Sequence, residues 1–215
     1  MFIGHFGVAF AARRASPPTS LGVLVLAAQW VDLVWPIFLL LGWERVRIAP
    51  GDTRLTPLDF EHYPWTHSLA AAVVWALVVG GVVAFRQGRR AGLVVGACVA
   101  SHWVLDFLVH RPDLQLLPGI ETRVGLGLWN VPAVALALEA VFFFGGLAMY
   151  VRATQPRSAG GRWGLVAFIV FLLLAELSSL LGPPPPSTTV LAWTALAMWL
   201  LVPWAAAFDR RRSLR

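Results

Sequence analysis

The 215-residue sequence contains no lysine; all seventeen of its basic residues are arginine. That reads as a compositional bias and excludes no chemistry. Other shortages exclude more. Cys98 is the only cysteine, so neither an intrachain disulfide nor a thiolate cluster for a metal can form. Charged residues make up 13% of the chain, about half of the ~25% usual in a soluble domain, which excludes that class. No internal repeat stands out, which argues against a transporter of two inverted halves. The opening stretch also lacks the order of a cleavable signal, because apolar Met1 to Ala12 precedes Arg13 and Arg14. The segment carrying His5 is therefore expected to stay in the mature protein.

What the chain has is long apolar runs. Hydrophobic residues are 58% of the whole and the mean hydropathy is +0.71. Six runs, roughly 20–42, 67–85, 91–109, 129–151, 163–182 and 188–208, each approach the ~20 residues a bilayer requires. Residues 2–13 are too short to cross. The expected fold is thus an all-α polytopic bundle of about six transmembrane helices plus a short N-terminal helix, half-inserted or interfacial. It reads as one integral membrane domain over 1–215, with chemistry-bearing residues concentrated in 1–115 and a helical half of unclear role in 116–215.

Arginine in alternate connections gives an orientation. Twelve (Arg13, Arg14, Arg86, Arg89, Arg90, Arg152, Arg157, Arg162, Arg210, Arg211, Arg212, Arg215) fall on one side and five (Arg45, Arg47, Arg54, Arg111, Arg123) on the other, beside six carboxylates. The positive-inside rule makes the C-terminus cytoplasmic and turns segments 43–66 and 110–128 outward. It also accounts for the high pI without a nucleic-acid partner. Trp43, Trp65 and Trp129 fall at outer boundaries and Trp163 and Trp204 at inner ones, as an aromatic belt would. Gly92 and Gly96 form a small-xxx-small face on the third span.

Ionisable groups inside a bilayer each cost ~2.5–3.5 kcal/mol and need a reason. Asp32, His102, Asp106, Glu139 and Glu176 fall within the spans. At ~1.5 Å per residue from the cytoplasmic boundary, four of them share a level ~18–21 Å up, with Asp106 at ~24 Å. The same count puts His67 at ~28 Å and His5 at ~12 Å, so joining these two requires a tilted second span or a deeper N-terminal segment. His102 and Asp106 are four apart, on one face of a helix, a spacing at which an imidazole and a carboxylate can hold one metal ion. His110 continues that face by another turn. His67 begins the second span after Pro64, with Thr66 available as a helix cap. Glu139 and Glu176 read as partners of the histidines or as helix–helix hydrogen bonds, Asp113 as the cap of a turn after Pro112, and His62 as a loop residue.

At these residues the sequence resembles the bacterial inner-membrane proteins known as membrane-bound metal-dependent hydrolases of the YdjM type. The matching pieces are GHFGVAF with His5, QWVDLVW with Asp32, WTHS with His67 and SHWVLD with His102 and Asp106, within roughly the first 115 residues. The order His, Asp, His, then His-x-x-x-Asp is also similar to the ligand order of zinc-dependent phospholipases C. The resemblance implies a site for one or two divalent ions, Zn²⁺ or alternatively Mn²⁺, held by His5, Asp32, His67, His102 and Asp106. The stretch before WTHS reads EHYP where a His-Arg pair is expected, and no role is carried over to His62.

The leading expectation is a metallohydrolase whose site opens outward, with membrane lipid around it and a lipid or lipid-linked phosphoester as substrate. His110 and Glu139 are the candidate catalytic groups, with Asp59 and Glu61 as further carboxylates for a general base and Arg111 or Arg123 as phosphate holders. A second reading is a small transporter or proton- or cation-conducting protein using the same groups. A relay requires ionisable groups across the whole membrane, and the cytoplasmic third of each span is bare of acids. A third reading is an assembly protein in which polar groups only join helices.

Overall fold

Most of the apolar runs become long helices in the computed structural model, which describes residues 1–215. The chain opens with α1 (Ile3–Ala12), α2 (Leu21–Ala28) and α3 (Trp30–Leu40). A single turn, α4 (Pro64–His67), precedes α5 (Leu69–Gln87), α6 (Arg89–Val109), α7 (Pro132–Ala153) and α8 (Ala159–Leu181). The last apolar stretch is α9 (Thr188–Leu196) and α10 (Leu201–Asp209), joined by a 3-10 turn. Ser20, Ser68, Ser158 and Ser187 each accept from the amide three residues on and so start α2, α5, α8 and α9. The architecture is all-α. Five helical stretches are long and apolar enough to cross a membrane, and six if α2 and α3 form one bent span.

The stretch expected as the first span is two helices meeting at 55°. The break falls at Gln29 (φ −104°, ψ 8°), whose buried side chain donates to Phe2 O at 3.4 Å. The short N-terminal helix is packed inside the bundle. Phe6 and Phe10 of α1 are 0% and 1% exposed, and α1 lies so close to α7 that a Cβ at Gly7 or Gly146 would run into the other helix's backbone. The first 115 residues and the remainder therefore share one core, built on Phe6, Phe10, Phe143, Tyr150 and Phe168. α5 and α6 pack just as tightly, with Gly92 and Gly96 set against Gly80, Ala84 and Ala76.

The connections are more ordered than loops. β1 (Arg45–Ile48) pairs with β2 (Leu58–His62), β3 (Leu114–Gln115) with β4 (Arg123–Val124), and β5 (Thr154–Pro156) with β6 (Arg212–Leu214), all antiparallel. The first two ribbons connect helices at one end of the bundle, here called the hairpin end; the third closes the other. There Asp209 accepts from Arg13, Tyr150 and the Leu21 amide. Outward faces of the long helices stay apolar, with Leu77, Phe85 and Leu181 exposed at 71, 93 and 78%, as hydrocarbon contact requires.

Candidate metal centre

The break at Gln29 sets up the site. It starts a new helix just before Asp32, which sits in the first turn of α3, where free amides favour a carboxylate. It also releases the Ala28 carbonyl, which accepts from His102 Nδ1 at 2.8 Å. That bond fixes the tautomer and leaves the His102 Nε2 lone pair facing Asp32 and Asp106. His67 ends α4. Because Ser68 is extended (φ −74°, ψ 155°), the chain turns between α4 and α5, and His67 is not held at the height a straight second span dictates. His5 comes in from the buried α1. The two heights that the sequence could not join are joined in this way.

Five side chains from α1, α3, α4 and α6 meet. His102 Nε2 lies 3.1 Å from Asp106 Oδ2 and 3.6 Å from Asp32 Oδ2. His67 Nε2 lies 3.3 Å from Asp32 Oδ1 and 3.9 Å from Asp106 Oδ2. His5 Nε2 is 3.2 Å from Asp106 Oδ1, with its ring stacked on His102 at 3.6 Å between centroids. Ligand atoms bound tetrahedrally at roughly 2.0–2.1 Å stand about 3.4 Å apart. The spacings here bracket that value. All but Asp32 are buried, and two overlapping triads, His5–His102–Asp106 and Asp32–His67–His102, have the spacing of a metal site.

The residues fit a divalent ion in two further respects. The buried His102 Nε2 makes no well-aligned hydrogen bond, although a carboxylate oxygen stands 3.1 Å away, so both atoms can turn to one ion. No arginine pairs with Asp32 or Asp106. Beyond the histidines, only the Met1 nitrogen reaches Asp106, at 2.8 Å. Asp106 is thus paired with the buried Met1 ammonium, whereas half-buried Asp32 meets only His67 and His102, and a metal would supply the positive charge it lacks.

A second layer steadies the histidines. His67 Nδ1 lies 2.7 Å from Thr66 Oγ1, whose hydroxyl donates to Glu44 at 2.7 Å. Glu44 also accepts from the Trp65 and Thr66 amides at 2.8 and 2.9 Å. Burial pushes the Glu44 carboxyl above its usual range, against the pull of nearby His67 and these hydrogen bonds. Thr66 is thus a link to His67, and the cap of the second span is Ser68. The charge of Glu44 resembled any other loop charge, and no pattern in the sequence tied it to His67.

A cavity of about 100 Å³ opens over the cluster, lined by Asp32, His67, Asp106, His110, Phe60 and Trp129 among others. His110 is buried there, its ring 4.1 Å from that of Trp129. Its Nδ1 lies 3.0 Å from Asp113 Oδ1 and 3.3 Å from the Tyr63 hydroxyl. Tyr63 itself donates to Asp113 at 2.6 Å, and burial together with that carboxylate raises the phenol well above its ordinary pKa. Asp113 therefore binds His110, Tyr63 and Arg111 (at 3.3 Å), beyond the turn-capping role read from the sequence. With Nδ1 engaged, Nε2 is the nitrogen of His110 left without a protein partner.

The other candidates lie outside this cavity. Glu139 is buried, but its two oxygens accept from the Phe2 and Gly4 amides at 2.8 and 2.6 Å, so it fastens the start of α1. Glu176 lines a neighbouring cleft with Glu139. Asp59 is taken up by Arg47 and Arg111, and Glu61 by Arg47. Arg111 is engaged by Asp52, Asp59 and Asp113 and does not stand free for a phosphate, while exposed Arg123, which reaches Glu61 O at 3.4 Å, lies outside the cavity lining. His62 sits on β2, its pKa lowered by partial burial and by Arg45 and Arg123. No family model, curated protein or solved structure matches this chain.

Proposed function

We propose that the protein is a membrane-embedded, metal-dependent hydrolase acting on a phosphoester or ester bond of a lipid-type substrate from the outer leaflet. The observation carrying this reading is the convergence of His67, His102, Asp32 and Asp106 at coordination spacing, beneath a cavity that also holds an oriented histidine. Those four would hold one divalent ion, and His5 with Asp106 Oδ1 would serve a second in place of the Met1 ammonium, which lies 2.8 Å from that oxygen. The ion, Zn²⁺ or alternatively Mn²⁺, would supply Lewis-acid activation of a water and of the substrate's ester oxygen.

The chain's own groups do the rest. His110 Nε2 accepts a proton in the cavity, while Asp113 holds the ring in the required tautomer and stabilises its cationic form. Tyr63, protonated and donating, keeps Asp113 turned to His110. Glu139 acts by positioning α1, and with it His5. The arginine asymmetry supports an outward-facing hairpin end in a bacterial inner membrane, and the likeness of the His5, Asp32, His67 and SHWVLD segments to YdjM-type hydrolases supports hydrolysis as the activity. A conducting relay is disfavoured by the core below the cluster, where Phe6, Phe10, Phe143 and Phe168 are all at most 1% exposed.

Metal content by mass spectrometry of detergent-purified protein tests the reading. One or two equivalents of Zn²⁺ or Mn²⁺ are expected, lost in a His102→Ala, Asp106→Ala double variant. His110→Ala should keep the metal and lose about 10²–10⁴-fold in hydrolysis of a chromogenic phosphodiester or ester. A wild type that takes up no metal on reconstitution overturns the proposal.

A further inference from the structure

The cavity over the proposed metal ligands is too small for a whole substrate. Its volume of about 100 Å³ has room for roughly three waters, whereas small-molecule pockets run to roughly 300–1,000 Å³. The rest of any substrate must occupy space that adjoins it. Two apolar spaces compete for that role. The groove between Phe38, Trp43, Trp65 and Trp75 is the larger, about 680 Å³, but it shares no lining residue with the cavity. The cleft between α7 and α8, about 160 Å³, shares Met1, Phe60 and Trp129 with it. The cleft is the continuation.

Its origin is the course of α8. That helix is buried at Gly161, Leu165, Phe168 and Leu172 and at no residue after Leu172, so its second half stands clear of the core. Leu136 of α7, Leu180 of α8 and Leu55 and Leu58 beside the β1–β2 ribbon line the gap. Its rim carries exposed Ser179, next to the outward apolar face of α8. The charged side chains in its wall are Glu139 and Glu176, and the one cation beside them, the Met1 ammonium, is buried and tied to Asp106. An anionic head finds no free cationic side chain there, while a hydrocarbon chain finds leucines and an exit onto the apolar surface.

We infer that the α7–α8 cleft is the chain-binding subsite for the substrate of the proposed hydrolase. The substrate class is an amphiphile whose phosphoester head lies against the metal ligands and whose hydrocarbon chain leaves sideways into the bilayer. This inference rests on the hydrolase reading, so its test reads binding and metal separately. The probe is phosphatidic acid with a diazirine in one acyl chain, in nanodiscs holding the wild-type protein. Photocrosslinks are expected to concentrate on Leu136, Leu180 and the Leu55–Leu58 segment. Leu180→Trp, which fills the cleft, should cut them at least tenfold with metal content unchanged. Ser179→Trp, at an exposed rim position, is the second blocking variant should Leu180→Trp fold poorly. Crosslinks spread evenly over α5 and α8, or gathered in the Phe38–Trp75 groove, overturn the subsite. Wild-type protein that binds no metal overturns the hydrolase reading instead, whatever the crosslinks show.

Discussion

Two of the three clustered histidines are held from behind and one is not. His102 Nδ1 bonds Ala28 O and His67 Nδ1 bonds Thr66, whereas the buried His5 Nδ1 has no partner. Ligands oriented by such outer bonds are the stronger ones. His5→Ala is therefore expected to retain one equivalent of metal under a chelator challenge that empties His67→Ala and His102→Ala; an equally empty His5→Ala would place His5 on the first ion. The Thr66 link can be tested by itself. Thr66→Val is nearly isosteric but breaks the path to Glu44, and should weaken metal binding about 10–100-fold, while Thr66→Ser keeps wild-type affinity. Wild-type affinity in Thr66→Val, read by chelator titration, would deny the link any part in holding the metal. Asp32, His102 and Asp106 were legible in the sequence as ionisable residues within apolar runs, where a charge needs a reason, whereas His5 and His67 joined them through the family resemblance. Glu44, Tyr63 and Asp113 sit in segments already rich in polar residues, so their partners appear only once the chain is folded.

At the scale of elements, the position of α1 decides whether His5 can reach the cluster. It is set by the close approach of Gly7 and Gly146 and by the hold of Glu139 on the Phe2 and Gly4 amides. Gly146→Ala inserts a methyl where Gly7 backbone stands, and overpacking of this kind costs about 1–3 kcal/mol. Its apparent Tm should fall, and the second metal equivalent, if one binds, should go first. Glu139→Leu should lower the Tm as well, because each buried amide left unpaired costs about 1–3 kcal/mol; an unchanged Tm in both variants would mean that α1 docks by other contacts. The long spans were legible from hydropathy alone. The break in the first was not, since no glycine or proline stands at Gln29 and Pro36 lies inside α3. The signal there is tertiary, a buried amide side chain bonded to Phe2 O. The same holds for α4, where Pro64 and Ser68 mark a turn of their own that hydropathy merges into the next span.

For the whole molecule, hydropathy gives five or six candidate crossings but not which way the site faces, and that choice decides which leaflet supplies the substrate. The argument for an outward hairpin end is the arginine count of twelve against five, a bias that orients helices through their flanking charge. At the twelve-arginine end part of that charge is structural: Arg212 of β6 is buried and bonds Thr154 Oγ1 and Gly161 O at 3.1 and 3.0 Å, and Arg13 is tied to Asp209. Enough remain exposed, among them Arg157, for the bias to stand. Single-cysteine labelling reads the orientation directly, because the native Cys98 is buried and stays silent to a membrane-impermeant maleimide. Arg54→Cys, exposed in the segment between β1 and β2, should label in intact cells. Arg157→Cys, between β5 and α8, should label only after the membrane is opened. The reverse pattern would turn the cluster, the cavity and the α7–α8 cleft toward the cytoplasm, and the amphiphile would then have to come from the inner leaflet.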